Sequence, residues 1–504
     1  MKSCILSDRL YVPEEYVKPK HLAEFCYSIT QDDTFDYGPF ETGVGSIRTF
    51  TKKRLADGQI YYGFARGNMQ KIGRLFGDLP WSDQTTAPPL QHDIKFNGKL
   101  YTYENKKIGQ QEAADQWLRC KNGILRANPR FGKTITSIYL ITKMGVKTLI
   151  VTHQWDLLEQ YYKSFSDFTN IDEIREPLRK KRDARGQVFG YFTDYDNPEE
   201  LDVCLLCWQT FASKAKGDAR IDKYKKTWGM VIVDECHRIG GIVFAKTVNR
   251  LSARYRMGLT GTVERTDGRE FLVKDILGTV SAEGKVATVD CKVTVIHTGV
   301  SIKYGFSEPL VYLHKRLYNA AGRMQLVLKY AMKDIDAGRF ICMAFHAASI
   351  EQLKHWTSKL QFMGVSAEAF YGSCVDREGV LDRARSGETQ VLVCNRQMLT
   401  GIDIPRWDTF YNLFPSSNVV FNDMGELSGN YYQEFSRIRT PYTDKITGTS
   451  KKEGIIRDFV DKNPFCYGSY RKRYKAYVQQ QFNIDIIKEE GATNARTGKG
   501  LDSR

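Results

Sequence analysis

Two short segments decide how this chain is read: Ala127-Asn128-Pro129-Arg130-Phe131-Gly132-Lys133-Thr134 and Val231-Ile232-Val233-Asp234-Glu235-Cys236-His237. The first has the A/G-x4-G-K-T spacing of a loop that cradles phosphate, and the second sets paired acids at the end of an apolar strand. A Gly-Lys-Thr tripeptide alone recurs by chance, and an Asp-Glu pair after a buried strand is often only a solvated strand end. Both in this order specify a site that binds and hydrolyses a nucleoside triphosphate.

Working outward from the first segment, Gly123 to Arg126 reads as a strand that enters the loop Ala127 to Phe131 and then a helix opening near Gly132. Further apolar runs predict strands at Lys147 to Thr152, Val203 to Cys207, Met230 to Val233 and Met257 to Leu259, separated by helical stretches. Short apolar strands alternating with helices predict a parallel sheet with helical crossovers. The same grammar returns near Phe340 to Phe345, Ala367 to Tyr371, Gln390 to Cys394 and Thr409 to Leu413. Between the first two of these, Ile350, Leu353, Trp356, Leu360 and Met363 recur at helical spacing and are predicted to face the core. The fold class is therefore α/β, with two tandem parallel-sheet domains at about 96–283 and 284–480. A small α+β accessory domain over 1–95 precedes them, and a tail over 481–504, polar and disordered from about Glu489, follows. The Pro-rich stretch Leu79 to Pro89 reads as the linker out of the first domain.

At 504 residues and 42% hydrophobic content the chain can bury ordinary cores. It has no apolar run of the roughly 20 residues a membrane span needs, so it is expected to stay in the compartment where it is made, the cytoplasm, with no membrane partner. Its 11 cysteines are irregularly placed and read as reduced. Cys204 and Cys207 lie in a strand-like run with no second pair at zinc spacing. The formal net charge of +15 favours a polyanionic partner, nucleic acid above a membrane surface.

In the first region, Ile47 to Lys53 and Gln59 to Ala65 are strand-like and flank Leu55-Ala56-Asp57-Gly58, a hairpin turn signal. Arg48, Lys53, Arg54 and Arg66 interleave there with Tyr61, Tyr62 and Phe64. That pattern suits phosphate contact with base stacking, and equally the core and solvated faces of a small sheet. The runs Arg175 to Arg185 and Tyr470 to Lys475 are also basic; in the second, Tyr470, Tyr474, Tyr477 and Val478 form an apolar helical stripe opposite Arg471 and Arg473.

The chemistry follows from residue type. Backbone N–H groups at the helix start near Gly132 face phosphate, Lys133 adds a cation, and Thr134 offers Mg²⁺ a hydroxyl. Asp234 is suited to hold the same metal, and Glu235 to orient or deprotonate the attacking water. His237, directly after them, is placed to couple the site to its neighbours.

Here the sequence resembles superfamily 2 helicases. Gly258-Leu259-Thr260-Gly261-Thr262-Val263-Glu264-Arg265-Thr266-Asp267-Gly268 is similar to motif III of their XPB-like and UvsW-like branch. Lys107-Ile108-Gly109-Gln110-Gln111-Glu112-Ala113 resembles the element whose glutamine reads adenine, with Gly109 where a tyrosine is expected. Gly401-Ile402-Asp403-Ile404-Pro405 resembles motif V, and Gln433-Glu434-Phe435-Ser436-Arg437-Ile438-Arg439 resembles motif VI, with Ser436 in place of a glycine and the last arginine one residue early. The resemblance implies two RecA-like domains with ATP between them. Gln110 and Asp403 would contact the nucleotide, Thr260, Thr262 and Gln433 would couple its hydrolysis to motion, and Arg437, or else Arg439, would reach the γ-phosphate. Thr152, His153, Thr210 and His346 would line the nucleic-acid path. The implied protein is an ATP- and Mg²⁺-dependent DNA helicase or translocase, closest to phage recombination and branch-migration enzymes. It would act as a monomer on branched or forked DNA in the host cytoplasm, with the first 95 residues recognising DNA. A restriction-system motor, with Asp93, Glu104 and Lys106 as nuclease candidates, an RNA helicase, and a scaffold with a dead ATPase are the alternatives.

Overall fold

Short strands with one apolar face open the chain: β1 (Cys4–Leu6), β2 (Leu10–Pro13), β3 (Cys26–Ile29), β4 (Gly45–Arg48), β5 (Phe50–Arg54), β6 (Ile60–Phe64) and β7 (Trp81–Asp83). The computed structural model describes residues 2–29, 45–101, 109–128, 131–194 except 181–187, 197–212, 222–240, 247–261, 263, 269–285, 288–305, 308–399, 404–414, 420–421, 427–428, 437–444 and 447–489. Five strands form a sheet in the order β5-β6-β2-β1-β7, while β3 and β4 pair separately. The predicted hairpin is present, since β5 and β6 pair antiparallel across Leu55–Gly58, where Gly58 has φ +74°. The single strand expected over Ile47 to Lys53 is instead two, broken at Thr49, whose backbone N–H donates to Phe25 O at 3.0 Å. Tyr61 and Phe64 are buried, and Lys53 and Arg54 lie exposed on the edge strand. Arg48 ends β4, and its side chain lies outside the described residues.

The first parallel sheet follows: β8 (Gly123–Ala127), β9 (Thr148–Thr152), β10 (Phe189–Tyr191), β11 (Val203–Cys207), β12 (Met230–Asp234), β13 (Tyr255–Thr260) and β14 (Val280–Gly284). Its order is β10-β11-β9-β12-β13-β8-β14, and all neighbours run parallel. β8, β9, β11 and β12 are buried on nearly every residue, as strands covered on both faces must be. Cys204 and Cys207 are buried free thiols of β11.

The N-terminal sheet belongs to the same compact unit, Met1–Val286. The stretch read as a linker is pinned along the amino ends of the parallel strands. Thr86 N donates to Ser252 O at 2.9 Å, Leu90 N to Gly145 O at 3.0 Å, and Lys147 N to Pro88 O at 2.8 Å. The buried Asp202 carboxylate accepts the N–H groups of Gln91 and His92 at 2.7 and 2.9 Å. Arg66, expected to contact nucleic acid, is committed to this joint: its guanidinium donates to Ala253 O and, at 2.7 Å, to Arg254 O. Burial pushes it down to about 10, and two arms of its fork are given to backbone carbonyls. Arg256, also buried, reaches Asp8 O at 2.9 Å, Leu251 O at 2.7 Å and Ile276 O at 3.2 Å.

The second unit, Ala287–Arg504, contains β15 (Asp290–Ser301), β16 (Ile341–Phe345), β17 (Ala367–Phe370), β18 (Val391–Asn395), β19 (Thr409–Asn412), the short pair β20 (Val420–Phe421) and β21 (Leu427–Ser428), β22 (Glu453–Lys462) and β23 (Asn483–Lys488). Seven form another parallel sheet in the order β17-β18-β16-β19-β22-β15-β23. Both units thus contain a seven-stranded parallel α/β sheet. β23, an edge strand, lies inside the stretch read as a tail. On the helix Ile350–Phe362, Leu353, Trp356 and Leu360 are buried as expected, but Ile350 and Met363, at its two ends, are exposed.

β22 carries buried charges that interrupt its apolar pattern. Asp458 accepts from Arg473 Nε at 2.9 Å and Nη2 at 2.8 Å, from Tyr477 Oη at 2.9 Å and from Asn412 Nδ2 at 3.0 Å. Asp461 accepts from Arg323 Nε at 2.9 Å and Thr298 Oγ1 at 2.7 Å. Arg473 is therefore a buried structural residue, 1% exposed, and not a strand contact. On the helix Pro464–Gln479, Arg471 is exposed as expected, whereas Val478, assigned to the apolar stripe, is 53% exposed.

Removing one partner of a buried, hydrogen-bonded pair costs about 3–5 kcal/mol. Arg473→Ala is expected to lower the stability of the second unit by that amount in denaturant titrations, with nucleic-acid affinity of the folded fraction changed less than about twofold. His314, 2% exposed, is pushed down to about 3 by burial and by the charges of His346, Arg323 and Arg396. It stays neutral in the fold while the unfolded chain protonates near 6.5. Stability is then complete above that pH and falls by up to about 1.4 kcal/mol per unit below it. A shallower acid slope in His314→Phe checks this.

Candidate active site

A parallel ladder puts the carboxyl ends of its strands on one edge, where open α/β sheets bind ligands. On this edge lie Asn128, directly after β8, and Phe131, shortly before the helix Lys133–Met144. Gly132 caps that helix with φ +83°, and a Cβ there would lie 2.1 Å from Gln110 Nε2. Glycine is thus required twice over, by backbone conformation and by space. Lys133 Nζ donates to Ala127 O at 3.1 Å, which closes the loop across its mouth. Beneath it, Ser137 Oγ donates to Thr134 O at 2.7 Å and lies 3.2 Å from the buried Tyr161 hydroxyl. Sequence reasoning passed over this Ser137–Tyr161 support, which helical spacing alone does not distinguish from core packing.

β12, separated from β8 by β13, delivers the two acids. Asp234 is its last residue and is buried, and its Oδ1 accepts the N–H of Glu235 at 2.9 Å. Glu235 itself adopts φ +49°, a left-handed conformation costing a non-glycine residue roughly 1 kcal/mol or more. His237 Nδ1 lies 2.9 Å from Thr260 Oγ1, at the end of β13, and 3.3 Å from Glu235 Oε2. Glu235, His237 and Thr260 therefore form one linked set between β12 and β13.

The electrostatics separate the acids. Burial, then the charge of Glu235, raises the Asp234 carboxyl, which Lys133 partly opposes. Burial also pushes Glu235 upward, but the hydrogen bond and charge of His237, with Lys133 and His153, outweigh it and hold Glu235 below the ordinary carboxylate range. The buried Asp234 carboxyl and the partly covered Glu235 carboxyl, both in the field of Lys133, are a donor pair that fits a divalent cation. Among the described residues no group of three or more His, Cys, Asp or Glu is placed to hold a metal ion.

Gln110 is brought to the same loop. It is 3% exposed, its Nε2 donates to Phe131 O at 2.8 Å, and its Oε1 accepts Tyr101 N at 3.0 Å. It therefore buttresses the loop, and both ends of its amide already have backbone partners. Two residues expected on the nucleic-acid path are turned inward. Thr152, fully buried, donates its hydroxyl to Gln154 O at 2.9 Å. His153 has both ring nitrogens shielded and is pushed down to about 4 by burial and by Arg238. Thr210 lies on the short helix Gln209–Ala212 beyond β11 and is half-buried.

In the second unit, His346 follows β16 with its backbone N–H on Tyr318 Oη at 2.8 Å and its ring 5.0 Å from His314. Burial lowers its basicity, and the residue is half-buried. Arg437–Arg439 is one turn of 3-10 helix. Arg439 donates to Val289 O at 3.3 Å and Thr288 Oγ1 at 3.1 Å and packs 5.1 Å over the Phe482 ring. Lys451, which the sequence reading missed, ties Pro405 O and Ile438 O together at 2.8 and 3.4 Å. Thr262, Asp403, Gln433, Glu104 and Lys106 lie outside the described residues. Asp93, the remaining nuclease candidate, is exposed and paired with Lys95 at 3.1 Å.

The family model described as "Type III restriction enzyme, res subunit" matches residues 106–265, about a third of the chain. A Mycobacterium tuberculosis protein named DNA 3'-5' helicase XPB is 25% identical over 382 residues, covering 73% of this chain and 63% of its own length. Its Kineococcus radiotolerans counterpart is 23% identical over 404 residues, covering 74% and 63%. The match thus spans under two thirds of these relatives. The probable helicase D10 of Escherichia phage T5 is 28% identical over 155 residues, 31% of this chain and 30% of its own. The solved structure of T4 UvsW aligns over 97% of this chain and 99% of its own at 16% identity, with a TM-score of 0.33. The chain is therefore similar to XPB-like superfamily 2 helicases over most of its length, as its motifs indicate. No described helix is long and apolar enough to cross a membrane.

Because Gly132 meets Gln110, Gly132→Ala is expected to weaken ATP-analogue binding at least about tenfold and to lower the melting temperature. Adding Gln110→Ala removes the clash but not the backbone strain, so the double variant should regain part of the stability. Calorimetry of the two variants and of Gln110→Ala alone reads the coupling.

Proposed function

We propose that this protein is an ATP-dependent DNA helicase or translocase of superfamily 2 that acts on branched or forked DNA. The observation that carries this reading is the meeting of Lys133, Asp234, Glu235 and the His237–Thr260 pair on one sheet edge, in a chain similar to proteins named DNA 3'-5' helicases. The net charge of +15 suits a polyanionic track.

In the proposed reaction, the helix start at Gly132 and the Lys133 ammonium bind the triphosphate tail. Thr134 and Asp234 would hold Mg²⁺, which supplies charge neutralisation at the phosphates. Glu235, held ionised by His237, is set to orient and accept the proton of the attacking water. A shift at Glu235 during turnover passes through His237 to Thr260 and so along β13. From the second unit we propose Arg437, at the arginine position that the motif VI resemblance favours, as the guanidinium that stabilises charge on the transferred phosphoryl group.

ATP hydrolysis and unwinding should be measured side by side on forks, four-way junctions, duplex, single-stranded DNA and RNA. Stimulation by DNA, greatest on branched forms, is expected. Equal stimulation by RNA would favour an RNA helicase, and cutting of plasmid with Mg²⁺ alone a restriction enzyme. Lys133→Ala and Glu235→Gln should each lower turnover at least about 100-fold with DNA affinity kept within about twofold. Arg437→Ala should cost about 1,000-fold or more in turnover, and Arg439→Ala should act mainly on stability. Unchanged turnover in Lys133→Ala would sink the mechanism.

A further inference from the structure

We infer that Trp155 is a base-stacking platform for single-stranded nucleic acid, built on an aromatic ladder that runs from the protein surface into the core of the first unit. The inference rests on the nucleic-acid reading above and adds a contact to the bases themselves.

Trp155 opens the helix Trp155–Phe168, three residues beyond the end of β9 and on the same sheet edge as the phosphate loop. It is 48% exposed, and an exposed indole is not required by the packing of this helix, whose buried residues are Leu157, Leu158, Tyr161 and Phe165. Its ring lies 5.8 Å from that of Tyr191, at the end of β10. Tyr191 stacks on Tyr162 at 5.4 Å and 10°, and Tyr162 on Phe189 at 5.2 Å and 28°. Phe189 meets Phe165 at 4.5 Å, and both are fully buried.

A ladder of this kind fixes the outermost ring, so a base stacking on it gains contact without the entropy of ordering a loose side chain. The neighbouring helix braces the ladder: the Arg175 guanidinium lies 5.2 Å over the Tyr162 ring and 3.8 Å from Asp172. The sheet-edge loops are tied together beside the indole, since Trp208 N donates to Thr152 O at 3.0 Å and Gln209 Nε2 to His153 O at 3.0 Å. Asp156, in the first turn of the same helix, opposes phosphate at the helix end. The chemistry presented is therefore a π-face for a base, and every base has one, so the contact is tolerant of sequence.

The test uses the full chain, fluorescein-labelled oligothymidine and the same oligomer with abasic sugars at its centre. Stacking of one base is worth roughly 5- to 100-fold in affinity. The unsubstituted protein should bind the abasic strand more weakly by a factor in that range. Trp155→Ala should lose the same factor on the intact strand and no longer distinguish the two, and Trp155→Phe should recover part of it. Phosphate contact or a purely structural role predicts no such convergence. Trp155→Ala binding like the unsubstituted protein, with the abasic strand still disfavoured, overturns the platform. Self-association that sedimentation shows to be lost in Trp155→Ala would also overturn it, by assigning the indole to a second copy. Failure of the unsubstituted protein to bind either strand would instead overturn the nucleic-acid reading itself.

Discussion

The parallel pairing of β8, β13, β12 and β9 is the constraint on which the remaining chemistry depends. Parallel register brings the carboxyl ends of strands distant in sequence to one edge. A loop after β8, two acids after β12 and a threonine closing β13 become neighbours without any specific contact having to recruit them. The backbone strain stored at Glu235 is sustained because a buried strand on one side and the His237 turn on the other fix its position.

The molecule uses arginine in two ways, and its net charge conceals the difference. Arg66 and Arg256 satisfy backbone carbonyls at the joint between the N-terminal sheet and the first parallel sheet. Arg323 and Arg473 neutralise aspartates buried in the second unit. The planar guanidinium with its five donors suits these crowded acceptor sets better than an ammonium. A basic composition thus partly reports internal construction: Arg66 and Arg256 carry positive charge into the fold, whereas Arg323 and Arg473 cancel against buried aspartates and leave the net charge of +15 as it is.

Much of the architecture was legible in the sequence because strands buried on both faces are nearly continuous apolar runs. Val203–Cys207 was placed to the residue, and the other predicted parallel strands to within a few. β22 and β23 were missed for opposite reasons. β22 contains Arg457, Asp458 and Asp461, charges compatible with a buried strand only because partners from elsewhere neutralise them. β23 is an edge strand with polar residues among its isoleucines, so its pattern differs little from that of a tail.

For the site, residue type and local order by themselves pointed to the proposed chemistry: Gly132, Lys133 and Thr134 at a helix start, and Asp234, Glu235 and His237 at the end of a buried strand. Those signals are local because a phosphate loop is built from consecutive backbone N–H groups. Only the tertiary structure decided which polar residues are already engaged by the fold. Thr152, Arg66, Arg473 and Arg439 look like ligands for a nucleic acid or a phosphate in one dimension, yet each finds its partner inside its own unit. Trp155 looks like ordinary helix core and is instead half-exposed. The direction in which a side chain points depends on partners that folding supplies from distant parts of the chain, which no local pattern encodes.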